Sequence, residues 1–225
     1  GEDIDLRIFA SRWKIALAVE DKGKESLQFF DDGGRAVHKV YLTGGSYRQA
    51  FLDLVDRFRA VEQVAPVIAK KSRQRTEERR DADVDISDFH RAWNDMQDTH
   101  EFFDLIKQYG VSRIQALRLA PPRRAMQVSL ESFRRTIAQC SEAKVPVMMF
   151  TANEGCVQIN TGKLDRIERD GAWISISETS GGQLRLNEDA VHSVWHVVKP
   201  TVDGDINALE LYDAEGGLIV QFFGE

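Results

Sequence analysis

Residues 208–223, ALELYDAEGGLIVQFF, lie over residues 26–41, SLQFFDDGGRAVHKVY, at a constant offset of about 182 positions. Self-similarity at a fixed period marks a repeated structural unit. Each copy reads as an apolar strand, a tight turn carried by Asp and Gly (Asp31 to Gly34; Asp213 to Gly217) and a second alternating strand, which is a β-hairpin pattern. Trp13 and Trp195 obey the same offset, so a Trp-bearing strand is expected before each hairpin. The repeated unit is then a β-meander.

Outward from the first copy, Phe51, Leu54, Val55 and Phe58 recur at helical spacing, and Ser46 with Gln49 has the form of a capping box in front of them. The composition then changes abruptly. Residues 70–83, KKSRQRTEERRDAD, carry dense charge of both signs and no core-forming residue except alanine, which reads as a linker. Helical patterns follow at roughly 87–97, 98–109, 112–120 and 129–143, and then about seven short strands. Helices followed by an antiparallel sheet make the class α+β. The organisation read from this is 1–69 as the closing meander and helix of a first repeat, 70–83 as linker, and 84–225 as a second repeat. Under the offset, residues 84–182 have no upstream partner, so the first repeat is truncated and the natural chain is expected to be longer. A half-repeat leaves a sheet edge and an apolar face uncovered, which predicts either self-association, as in a homodimer, or loss of stability.

Composition narrows the function classes. A chain of 225 residues, 42% hydrophobic and 29% charged, can bury a sizeable core. The net charge of -6 argues against nucleic acid, and in residues 70–83 acidic side chains interleave with the basic ones. No apolar run approaches the roughly 20 residues of a membrane span and no signal segment opens the chain, so a cytoplasmic protein is expected. Cys140 and Cys156 make no disulfide framework and no CxxC pattern.

His100 stands in QDTHEFFDLIKQYG, where Asp98 is a good N-cap, Glu101 completes a capping box and Gly110 can end the helix. Phe102, Leu105, Ile106 and Tyr109 form the core stripe, which leaves His100 on another face beside Phe103 and Asp104. The positive end of the helix dipole favours a neutral ring, the form that ligates a metal. From these features alone an ordinary surface histidine is the commoner reading. His90 reads as a helix-surface residue. His192 and His196 have the spacing of a zinc pair, but VHSVWHVV has a strand composition and no third ligand cluster follows. There is no Walker loop, no GxGxxG after a strand and no GxSxG elbow, and the carboxylates are too scattered for an acid/base pair to be chosen.

Several longer stretches nevertheless resemble one family in order and spacing. QDTHEFFDLIKQYGVSRIQALRL, VMMFTANEGCVQINTG, WHVVKPTVDGDINALELYDAEGG and QFFGE resemble the second repeat of the HemS-type bacterial haemin transport and degradation proteins. IDLRIFASRW and SLQFFDDGGRAVHKVY resemble the end of the first repeat. The resemblance implies a duplicated α+β protein that binds one haem, with His100 as the iron ligand. It further implies that Arg113, Phe150, Lys199, Gln221 and Phe223 line the pocket, with Lys199 suited to a propionate. Cations for carboxylates and aromatic faces for a flat apolar ring fit such a ligand. Two activities are implied. One is a haem carrier in iron acquisition, taking haem from an uptake transporter and passing it to a haem-accepting enzyme; the other is a haem-degrading oxygenase with an external reductant. The family's distal arginine would come from the missing half, and another pocket arginine would follow Glu225, so the fragment itself is expected to be inactive.

Overall fold

The computed structural model describes residues 4–69 and 78–224, so most of the charged stretch 70–83 lies outside the described residues. The chain divides into two compact units, one of Leu6–Gln74 with Asn153–Val157 and one of Gly1–Asp5, Arg75–Ala152 and Gln158–Glu225. Strand β1 (Ile4–Ile8) opens the chain across that division.

The first unit carries an antiparallel meander of β2 (Ile15–Asp21), β3 (Lys24–Phe30) and β4 (Ala36–Tyr41), followed by helix α1 (Arg48–Phe58). The expected capping box in front of α1 does not form. Ser46 Oγ accepts from the Thr43 N–H at 2.9 Å, closing the loop instead, and Gln49 donates to Asp53 at 2.8 Å. The N-cap of α1 is Tyr47, without a side-chain bond.

The second unit holds α2 (Ile86–Asn94), α3 (Glu101–Tyr109), α4 (Arg113–Arg118), β5 (Ala125–Val128) and α5 (Leu130–Glu142). Strands β6 (Pro146–Ala152), β7 (Cys156–Asp170), β8 (Trp173–Glu178) and β9 (Gln183–Asn187) follow. The chain closes with β10 (Ser193–Thr201), β11 (Gly204–Tyr212) and β12 (Leu218–Gly224). The strand order is β5-β10-β11-β12-β6-β7-β8-β9. The α+β class read from the order of elements is the class observed. Residues 78–83, the end of the charged stretch, pack on α4, where Gln115 Nε2 donates to Asp81 at 2.7 Å and Ser112 Oγ to Glu78 at 2.7 Å.

Period-two alternation splits the strand side chains between two cores. Val197 and Tyr212 point to Phe89, Trp93, Phe102, Leu105 and Leu117 of α2–α4. Val194, Leu211, Val220 and Phe222 point instead to Phe133 and Ile137 of α5. Helix starts follow side-chain chemistry: Asp85, Ser112 and Ser129 each accept from the N–H three residues on. Gly110 ends α3 at φ 61, a left-handed conformation that glycine adopts without strain. At the other end of α3 the expected box is displaced. The Asp98 side chain accepts from the His100 N–H at 2.7 Å, leaving the Glu101 N–H to the Asp98 backbone carbonyl at 3.2 Å, and the Glu101 side chain reaches back to the Gln97 N–H at 2.8 Å.

The two meanders share their turn in detail. Gly34 and Gly216 sit at φ 75 and 78, and Asp31 and Asp213 accept through Oδ1 from the N–H four residues on. The β-bulge falls between Phe29 and Phe30 in one copy and between Leu211 and Tyr212 in the other, as the offset of 182 requires. The first strand of each meander departs from that offset. Leu17 pairs with Gln28, and Trp195 pairs with Glu210, the residue 182 after Gln28; Trp195 therefore corresponds to Leu17, 178 positions away. Trp13 is not its structural counterpart. It precedes β2, packs on Phe29 with ring centres 4.4 Å apart and tilted by 39°, and donates to the Gly155 carbonyl at 2.7 Å. The reason is length: β11 has 9 residues where β3 has 7.

Candidate functional site

One rung of the large sheet gathers most of the expected residues. Trp195 on β10 pairs with Glu210 on β11, Glu210 with Gln221 on β12, and Gln221 with Phe150 on β6. All four therefore share a face, the one that α2–α4 cover. Arg113, held at the first position of α4 by the Ser112 cap, projects onto this rung.

The centre is Glu210, which sequence reading did not single out. Arg113 grips it with two nitrogens, Nη2 at 2.7 Å from Oε1 and Nε at 3.0 Å from Oε2. Lys199 Nζ donates to Oε1 at 2.9 Å, Gln221 Nε2 to Oε1 at 2.8 Å, and the Tyr212 hydroxyl donates to Oε2. Arg113 Nε also lies 2.9 Å from the Tyr212 oxygen. Burial by itself would raise the Glu210 carboxyl, but the charges of Arg113 and Lys199 outweigh it and hold the group well below the usual carboxylate range. Burial pulls Lys199 down, and Glu210 offsets part of that. Arg113, although buried, is raised because Glu210 faces it. Two cations against one carboxylate leave the cluster with one net positive charge.

Aromatic rings wall the cluster. The Arg113 guanidinium stands 5.0 Å from the Phe102 ring and 5.7 Å from Phe103, and Lys199 Nζ 4.6 Å from Phe102 and 6.0 Å from Phe223. Phe150 and Phe223 meet edge to face at 4.8 Å. Five expected residues, Arg113, Phe150, Lys199, Gln221 and Phe223, are thus joined through contacts with one another or with Glu210.

His100 is placed differently. It is the N-cap of α3, one turn before Phe103, with its side chain 66% exposed and Nδ1 2.6 Å from Asp98 Oδ1. A carboxylate only accepts, so Nδ1 carries the hydrogen, and in the neutral ring the lone pair lies on Nε2. Asp98 is held below its ordinary value by the backbone N–H and the ring of His100. Two other histidines are committed elsewhere: His90 to the Leu119 carbonyl at 2.9 Å, His196 to Asn207 at 2.9 Å. Among the described residues no group of three or more His, Cys, Asp or Glu is arranged to hold a metal ion. No helix among them is long and apolar enough to cross a membrane.

With this geometry in place, the sequence matches the family model for the haemin-degrading HemS.ChuX domain over residues 1–58 and 110–225. The chain belongs to that family. His100 falls between the two matched stretches, whereas Arg113, Phe150, Lys199, Gln221 and Phe223 lie inside the second. The hemin transport protein HmuS of Yersinia pestis is 32% identical over 99% of this chain and 64% of its own length. The structure of apo-PhuS, a heme-binding protein from Pseudomonas aeruginosa, matches with a TM-score of 0.94 and 34% identity, covering 100% of this chain and 66% of that one. The heme degrading enzyme ChuS of Escherichia coli O157:H7 matches at 0.86 and 29% identity, covering 99% and 65%. The chain therefore spans just under two thirds of the length of these relatives.

Proposed function

We infer that this chain binds haem for trafficking in the bacterial cytoplasm, with His100 as the iron ligand. The observation that carries the reading is the placement of His100. It stands outward on the first turn of α3, its ring oriented by Asp98, on the helix whose Phe102 and Phe103 rings flank the Arg113 guanidinium. A carboxylate on the far nitrogen is the usual orienting partner of a metal-binding imidazole. The rest of the chain fits the same ligand: the net positive charge of the Glu210 cluster suits an anionic group, and Phe103, Phe150 and Phe223 offer apolar ring faces. Bound haem supplies an iron that an imidazole can ligate and, in the second reading below, oxygen chemistry.

In this role the protein receives haem from an uptake transporter and passes it to a haem-accepting enzyme. Haem degradation is the second reading, supported by the likeness to ChuS, which is described as a heme degrading enzyme. Haem titration of the protein and its His100→Ala variant, followed by reductant in air, tests both. The carrier reading expects a Soret band in the unaltered protein, a displaced or weakened band in the variant, and haem surviving reduction until an acceptor protein takes it. Loss of the Soret band with a tetrapyrrole product assigns the protein to degradation. A variant spectrum identical to the original removes His100 as the ligand.

A further inference from the structure

Arg113, Lys199 and Glu210 are buried to different depths. The Glu210 side chain is wholly inaccessible, Lys199 is 4% exposed and Arg113 is 13% exposed. Arg113 is also the member that reaches outward, since its guanidinium lies beside Phe103, which is itself exposed. An anion arriving over Phe103 meets Arg113 first. Behind it, Glu210 fixes the guanidinium through two nitrogens, which sets its plane. Left alone with Arg113, Glu210 would cancel its charge. Lys199 bonds the same Oε1 atom from the interior side, so one positive charge survives at the outer end.

We propose that Glu210 and Lys199 are positioning residues that set the orientation and the residual charge of Arg113, so that the cluster accepts one carboxylate of a planar apolar ligand. This rests on the reading that the chain takes a porphyrin. It adds a selectivity: one acidic arm is recognised here, and a second finds no further positive charge in the cluster.

The test uses metal-free protoporphyrin and its dimethyl ester, with binding followed by porphyrin fluorescence, so that iron ligation plays no part. The quantity read is the ratio of the ester's Kd to the acid's. In the unaltered chain the ratio is expected to be about 10, the contribution of one charged hydrogen bond. Glu210→Gln leaves two uncompensated cations, and the ratio should rise about tenfold further. Lys199→Met cancels the residual charge, and the ratio should fall to near 1. The double variant Lys199→Met with Glu210→Gln restores one net charge without leaving two bare cations, and the ratio should return to that of the unaltered chain. A purely structural role would lower both affinities together and leave the ratio constant in every variant, which overturns the proposal. Equal binding of acid and ester by the unaltered chain overturns it while the porphyrin reading stands. Failure of the unaltered chain to bind either porphyrin overturns both. A normal charge series beside an unchanged haem spectrum in His100→Ala supports this proposal and removes only the iron ligand.

Discussion

Replacing Glu210 with Gln should destabilise the second unit by an amount that the geometry bounds. The carboxylate accepts from Arg113, Lys199, Tyr212 and Gln221 at full burial. Removing one partner of a buried ion pair costs about 3–5 kcal/mol, because the remaining charge is left without compensation. Gln keeps one carbonyl oxygen that still accepts, which places the variant near the lower end, about 3 kcal/mol. Hydrogen exchange of the β11 amides reads this locally, without requiring the two units to unfold together. At neutral pH the amides from Ile206 to Tyr212 should exchange on the order of a hundredfold faster in the variant. The pH dependence carries a second signature. The folded Glu210 carboxyl is held below its unfolded value of about 4.3, so its contribution is present above that pH and is lost as the pH falls below it. The gap in protection between the two proteins should therefore narrow on acidification. Exchange within threefold of the unaltered protein at neutral pH, or a gap that stays constant into acid, would refute the argument that the network holds this part of the sheet.

Three further outcomes are expected. Gly110→Ala should cost about 1 kcal/mol in urea unfolding, because φ at this position is 61 while nothing within 4 Å opposes the added Cβ; a neutral result would mean that the α3 terminus relaxes freely. Gly155→Ala should be worse, about 1–3 kcal/mol, since its Cβ would lie 2.6 Å from Val37 and 3.1 Å from Trp13; adding Val37→Ala should recover part of the loss, and no recovery would point to the backbone instead. Burial, with Asp88 beside it, pushes the Tyr109 phenol up to about 12; the folded pKa is raised, so its stabilisation is present below the unfolded value of about 10 and is lost as pH rises through the folded one. Ultraviolet titration should show two of the four tyrosines, Tyr109 and the buried Tyr212 beside Glu210, ionising late, with Tyr109 alone moving earlier in Asp88→Asn; a single transition near pH 10 for all four tyrosines would contradict this.

The elements whose signals are local were legible in the sequence. The stripe Phe102, Leu105 and Tyr109, the stop at Gly110 and the hairpin turns at Asp31 and Asp213 each depend on a few neighbouring residues, and each is found where its pattern points. What was not legible depends on pairing between distant strands. Glu210 sits in ALELY with nothing local to mark it; only its registry with Gln221 and Trp195 shows that it is central. The usable signal was the alternation itself, which puts Glu210 on the same face as Tyr212 and opposite to Leu209 and Leu211. Ser46 and Gln49 fit a capping box by spacing, but the Ser46 hydroxyl had a nearer partner in Thr43. Trp13 followed the repeat offset in sequence and lost it in three dimensions, because the longer hairpin moved the register by four residues.

That longer hairpin bears on how a duplicated sheet can diverge. Relative to its counterpart, the β11 hairpin has gained two residues on each arm while the turn and the bulge beyond it stayed in place. An odd gain on an arm would have exchanged the faces of every residue beyond it, turning Trp195 away from Glu210. Growth in such a unit is therefore quantised in steps of two per strand. Steps of that size let one copy evolve a charged interior while the copy with Leu17 and Gln28 in the matching positions kept its own pattern of in and out.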